Sequence, residues 1–128
     1  MDDIIQKIFN DPYIKYLGIS VDKIEKGYCL CSIVITHDML NFLGFVHGGL
    51  IFSLADVAFS VASNNDHLPS YALDVSGSFL KTANVGDTVI AEARVIHTTK
   101  RTGIYRMEVF KNNELIATFN GTVFRKAD

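Results

Sequence analysis

The chain has 128 residues, 48% of them apolar, with a formal charge of −2 at pH 7 and acids and bases interspersed. That length suits one domain spanning residues 1–128 with a core of its own. The charge offers no basic field for nucleic acid, the N-terminus lacks leader character, and no apolar run could span a bilayer, so the sequence predicts a cytoplasmic protein without nucleic-acid or membrane partners.

Ile4, Ile5, Ile8 and Phe9 fall on one face at helical spacing, which predicts a short N-terminal helix capped by Asp2 or Asp3 and ended by Asp11-Pro12. Leu17, Ile19 and Val21 then alternate with polar residues, Glu25-Lys26-Gly27 supplies a turn, and Tyr28 to Ile35 makes the second strand of a hairpin. Cys29 and Cys31 share one face of that strand with geometry poor for pairing, so both read as buried thiols. Thr36 to Leu40 is a turn or helical loop that delivers the chain to Asn41.

From Leu50 to Ala62 nearly every residue is apolar, a run too long for an ordinary strand, which predicts a helix buried on nearly all sides and ending near Asn64-Asn65-Asp66, with Pro69 just beyond. Gly48 and Gly49 at its start leave the first amides uncovered by side chains, so unpaired N–H groups and the positive helix end can face a ligand as an oxyanion site. Asp56 is the one acid in the run. A lone carboxylate there costs on the order of several kcal/mol unless it is paired, hydrated or exposed in a site, so it is either a structural acceptor or a working group.

Tyr71 to Lys81, Thr88 to His97, Gly103 to Phe110 and Leu115 to Phe124 read as four more strands, and Lys111-Asn112-Asn113-Glu114 is a hairpin signal. Short connections make the last three a meander. The whole is an α+β fold, in which a long central helix is wrapped by a curved antiparallel sheet of about five to six strands, with a short helix in front. Gly77 inside a strand implies a bulge or a close approach of ligand, and Asp74 is a second acid that could assist chemistry or face solvent. His37, His67 and His97 read as loop or strand-edge residues, and with His47 they form no cluster at ligand spacing, so no metal is expected.

The spacing Asn41, Gly44, His47-Gly48-Gly49, Leu54, Asp56 resembles the signature of the hotdog-fold acyl-CoA thioesterases of the phenylacetate-degradation (PaaI-like) group. The likeness continues through Gly86-Asp87-Thr88, Arg101-Thr102-Gly103-Ile104-Tyr105 and Gly121-Thr122-Val123-Phe124-Arg125, covering nearly the whole chain. It implies a hotdog fold that hydrolyses acyl-CoA thioesters to free acid and coenzyme A, with phenylacetyl-CoA or hydroxylated relatives as the leaning. No cofactor is implied beyond the coenzyme A of the substrate.

Under that resemblance the Gly48 N–H holds the oxyanion, Asp56 is general base or nucleophile, and His47 and Asn41 orient the thioester and water. His47 could instead be a plain cap and Asn41 a simple Asx-turn. Gly49, Lys81, Arg101 and Thr102 are the substrate-binding candidates, and Lys81, Lys100 and Arg101 are placed for the coenzyme A phosphates. Phe42, Phe45, Phe52 and Phe59 could line an acyl pocket or simply be core. One departure from the pattern is Ala72, where some relatives carry a hydroxyl residue early in the strand after the helix.

A non-catalytic acyl-CoA-binding module would keep the pocket but have no need of the carboxylate at Asp56. A hydroxyacyl thioester dehydratase pairs a His with an acid aimed at the β-carbon, and the spacing from His47 to Asp56 suits the thioesterase pattern better. Gly48 and Asp56 lie about 12 Å apart along one helix at 1.5 Å per residue, whereas a reacting carbonyl must lie within about 3 to 3.5 Å of its partners. A two-fold partner that sets its own Asp56 against the first chain's Gly48 removes the conflict, so a homodimer with shared sites is expected. The resemblance adds edge-to-edge sheet pairing and a tetramer made of two dimers.

Overall fold

Two short helices, not one, open the chain: α1 (Asp2–Phe9) and α2 (Pro12–Leu17). The computed structural model describes residues 2–65 and 69–126, with Asp2 as backbone alone, so Asp66, His67 and the capping expected of the Asp2 side chain lie outside the described residues. Asp11-Pro12 does end the first helix, but it also begins the second. The Asp11 carboxylate accepts from the amides of Tyr13 and Ile14, and Pro12 occupies the first turn, where a missing N–H costs nothing. Gly18, at φ 74°, closes α2 in the left-handed conformation. Leu17 therefore ends a helix instead of opening a strand, because Ile14 and Leu17 sit at i, i+3 and the caps at both ends favour the helix.

The hairpin follows as β1 (Ser20–Glu25) and β2 (Tyr28–Val34), then a 3₁₀ turn at His37–Met39. The central helix is α3 (Gly48–Ser63), and the remaining strands are β3 (Ser70–Phe79), β4 (Thr88–Thr98), β5 (Thr102–Lys111) and β6 (Glu114–Arg125). They form one antiparallel six-stranded sheet in the order β1-β2-β4-β5-β6-β3. The β4-β5-β6 meander is as expected, and its last turn puts Asn112 and Asn113 at φ 50° and 64°, the handedness that a tight hairpin requires. β3 does not pair with its successor β4. It lies outside β6, at the sheet edge, so the chain crosses the concave face as α3 before it returns.

Leu54, Ala55, Ala58 and Phe59 of α3 are buried against Cys29, Cys31, Ala91, Ala93 and Met107 of the sheet, whose small residues let the helix lie close. A Cβ at Gly121 would come within 2.6 Å of the Phe59 ring, which occupies that space and packs at 5.6 Å from Tyr105. A Cβ at Gly77 would stand 2.2 Å from the carbonyl oxygen of Thr118, so this glycine serves the close approach of β6. The two cysteines are buried and unbridged as expected; the Cys31 thiol lies 3.6 Å from the Leu54 carbonyl, and its hydrogen bond with Cys29 together with burial pushes its pKa up. No helix among the described residues is long and apolar enough to cross a membrane.

Asn65, fully buried, fastens the end of α3 to the hairpin. Its side-chain NH₂ donates to the carbonyls of Glu25 (2.7 Å) and Tyr28 (3.3 Å), and its Oδ1 accepts from the Gly27 amide (3.1 Å). Asn65→Ala strands these groups without partners and is expected to lower stability by about 2 to 3 kcal/mol in urea denaturation. A loss below about 0.5 kcal/mol would mean that water replaces the amide at the helix end.

Candidate active site

The approach to α3 is a tight loop held by its own backbone. Leu40 bridges Val46, the Asn41 amide donates to the Phe45 carbonyl (2.7 Å), and Gly44 turns the chain at φ 86°. Asn41 Oδ1 accepts from the amides of Leu43 (2.9 Å) and Phe45 (3.2 Å), so its carbonyl end forms the Asx-turn while its NH₂ end makes no bond among the described residues. Phe42, at the tip, is 96% exposed.

His47 is the N-cap of α3, and its Nδ1 accepts from the Gly49 amide at 3.0 Å. In the neutral ring this leaves the proton on Nε2, free to donate outward. The cap corrects the expectation that both glycine amides are open: Gly49's is taken. Gly48's has no partner among the described residues, and a Cβ there would meet only the Phe79 ring, at 3.6 Å. One open amide thus remains at the positive end of a 16-residue helix.

The helix is not covered all round. Gly49, Phe52, Ser53, Asp56 and Ser60 make one stripe that the sheet leaves partly uncovered, and apart from the half-buried Gly48 the rest of α3 is buried. Asp56 is half-buried on this stripe and has no hydrogen bond or ion pair among the described residues, and burial pushes its carboxyl above the ordinary range. It stands two turns from the helix start.

Two hollows flank that start. A cleft of about 520 Å³ between α2 and α3 reaches His47 and Gly49; a groove of about 400 Å³ on the other side is lined by Phe45, Gly48, Phe79, Leu80, Lys81 and Thr82. Lys81 is thus brought to Gly48, with its ammonium 2.6 Å from the Glu114 carboxylate, which that hydrogen bond holds below the usual carboxylate range. Arg101 and Thr102 are not brought there. Thr102 pairs with Phe124, whereas the Lys81 amide bonds Ile116, and those eight residues of β6 span about 26 Å. The Thr102 hydroxyl is 2.6 Å from that of Thr99, inside the β4–β5 turn that also holds Lys100.

Of the phenylalanines, Phe59 is core, Phe45 lines the groove, and Phe52 packs edge-on at 5.6 Å against Phe119. Ala72 and Asp74 are exposed on the edge strand β3, and His37 and His97 are exposed. Among the described residues no three His, Cys, Asp or Glu side chains form a metal-sized group. Sequence reasoning missed Tyr13 and Ser53, whose hydroxyls meet at 2.8 Å across the cleft. Ser53, three residues before Asp56, could have been found from the stripe. Tyr13 could not, since it arrives on a helix read as the end of another.

Likenesses to known proteins bear on this arrangement. Residues 43–118 match a family model described as the thioesterase superfamily. Acyl-coenzyme A thioesterase PaaI of Escherichia coli (strain K12) is 37% identical over 117 residues, covering 91% of this chain and 84% of that protein. The structure of the E. coli PaaI protein from the phenylacetic acid degradation operon aligns with a TM-score of 0.93 at 34% identity, covering 98% of this chain and 92% of that one. The structure of smu.793 from Streptococcus mutans UA159 bound to acetyl CoA aligns with a TM-score of 0.81 at 26% identity, over 86% and 90% of the two chains.

Proposed function

The chain belongs to the thioesterase superfamily, and from that premise we propose that it hydrolyses aryl and short acyl-CoA thioesters, phenylacetyl-CoA and its relatives among them, to the free acid and coenzyme A. The observation that carries the reading is a pair of unsatisfied groups on one helix. The Gly48 amide and the Asp56 carboxylate both lack partners among the described residues, in a chain that caps and ties the groups around them. An amide at a helix start is shaped for an oxyanion, a contribution of about 3 to 4 kcal/mol at the transition state. A carboxylate beside the carbonyl acts either as base toward water or as nucleophile toward the carbonyl carbon. His47, through its Nε2–H, and the free NH₂ of Asn41 orient the thioester and the attacking water.

One subunit does not bring the two groups to one carbonyl, so the working unit is a homodimer with shared sites. β3 supports this: it is a ten-residue edge strand whose Tyr71, Leu73 and Phe79 are each more than half exposed, the kind of open edge that invites a second strand. Midway between Gly48 and Asp56 lies Phe52, packed on Phe119, which in turn lies against Gly77 of β3. A two-fold axis through this point pairs β3 with its copy and sets each Gly48 opposite the partner's Asp56. Two such dimers make the tetramer implied by the family resemblance. Lys81 then meets the coenzyme A moiety from the chain that supplies Gly48, with Gly49 beside it, whereas Arg101 and Thr102 come from another subunit.

The test is turnover of short, long and aryl acyl-CoA thioesters, read by trapping the released thiol, with aryl esters expected to be the best substrates. Arg101→Ala is expected to raise KM more than it lowers kcat; an unchanged KM returns Arg101 to the solvated rim. Absence of turnover with every ester would favour a binding module, which needs the Gly48 amide but has no use for a carboxylate whose ionisation burial opposes.

A further inference from the structure

We infer that the cleft between α2 and α3 is the acyl pocket, and that the hydrogen-bonded hydroxyls of Tyr13 and Ser53 select acyl groups ending in an uncharged hydrogen-bonding group and reject those ending in a carboxylate. The inference rests on the acyl-CoA hydrolysis proposed above. The helix start divides two hollows of opposite character. On the Gly48 side is the groove with Lys81; on the His47–Gly49 side is the cleft, whose lining holds no lysine or arginine and does hold Asp38. Among the described lining residues, a lysine for a coenzyme A phosphate stands on the first side alone. An anionic acyl end entering the second would meet the like charge of Asp38 and, among the described lining residues, no lysine or arginine to offset it.

The size and polarity of the cleft fit the acyl part of a thioester. Its volume of about 520 Å³ suits a small acyl or aryl group, and Leu17, Met39, Leu40 and Leu50 give it apolar walls. Ser53 stands four residues beyond Gly49, about 6 Å along the helix, so its hydroxyl lies where the far end of such a group would reach. The Tyr13–Ser53 bond, at 2.8 Å, uses one proton of the two hydroxyls and leaves the other, together with free lone pairs, to face a ligand. Such a pair can both donate and accept, which matches a hydroxyl and gives a methyl nothing. Tyr13, Leu17 and Asp38 lie before residue 43, where the match to the thioesterase family model begins, whereas Gly49 and Ser53 lie within it. The selective pair thus joins Tyr13, from α2 outside the matched segment, to Ser53, from α3 inside it.

The test compares hexanoyl-, 6-hydroxyhexanoyl- and adipyl-CoA, three chains of equal length ending in methyl, hydroxyl and carboxylate. For Tyr13→Phe and for Ser53→Ala, the ratio of kcat/KM for the hydroxyl-ended over the methyl-ended ester is expected to fall about tenfold, the scale of one hydrogen bond. The double variant should fall no further, since the two hydroxyls act as a unit. Asp38→Lys should raise the relative use of adipyl-CoA. The same ratios are read as affinities with non-hydrolysable thioether analogues. Lost selectivity in binding therefore supports the cleft even if no ester turns over, in which case the proposed hydrolysis alone fails. Unchanged ratios in both Tyr13→Phe and Ser53→Ala, with hydrolysis intact, would overturn the assignment.

Discussion

Asp56→Asn is expected to fold, to bind acyl-CoA, and to hydrolyse it at least about a hundredfold more slowly, the scale of losing a general base or nucleophile. The structure adds a second expectation of opposite sign. Burial raises the Asp56 carboxyl above its ordinary range, so the folded chain holds a proton there at pH values where the unfolded chain has lost it. Stability present at low pH is therefore lost as pH rises through the folded pKa, and at neutral pH the parent holds an ionised group that its surroundings disfavour. An uncharged amide in place of the carboxylate removes that penalty, so the variant should melt no lower than the parent at pH 7, and its advantage should disappear at low pH. Loss of turnover with stability kept or gained marks a group retained for chemistry. In the parent, kcat/KM should rise with pH through an apparent pKa above the usual carboxylate range, because only the ionised form can accept a proton or attack. Undiminished turnover in Asp56→Asn would eliminate the mechanism.

Complementation between disabled subunits has the next largest expected effect. Asp56→Asn chains keep Gly48, and Gly48→Val chains keep Asp56; the valine methyls would crowd the Phe79 ring that already stands 3.6 Å from where a Cβ would be. Each variant alone should be nearly inactive. Mixed in equal amounts and allowed to exchange, half of the dimers are hybrids carrying one intact composite site of two, so about a quarter of parental activity should return. Confirmed exchange with no recovered activity, or an active monomer in sedimentation, would put both groups in one subunit and require another partner for Gly48.

Much of the fold was legible because the signals were local. The apolar run from Leu50 to Ala62 exceeds a strand's length, the Asn112-Asn113 turn admits only a tight hairpin, and apolar runs bounded by turn residues marked β2, β4, β5 and β6 to within a residue or two. Asp11-Pro12 misled because one dipeptide can both stop a helix and cap the next, and only the caps and packing of Tyr13 to Gly18 decide between the two. Gly77 implied a bulge or a close approach of ligand and not a backbone neighbour, since the Thr118 carbonyl that excludes a side chain there lies 41 residues away in sequence.

The sequence by itself determined that an apolar helix would start at a pair of glycines behind a histidine and carry one acid two turns on, because helix capping and periodicity act over a few residues. Tertiary structure alone decided which of those groups remain free. The sheet wraps α3 but spares the stripe that holds Asp56; β3 comes to rest on the outer edge beside β6; and α2 carries Tyr13 to Ser53. Each of these depends on where distant segments pack and which side chains their volumes exclude, and no local pattern encodes that.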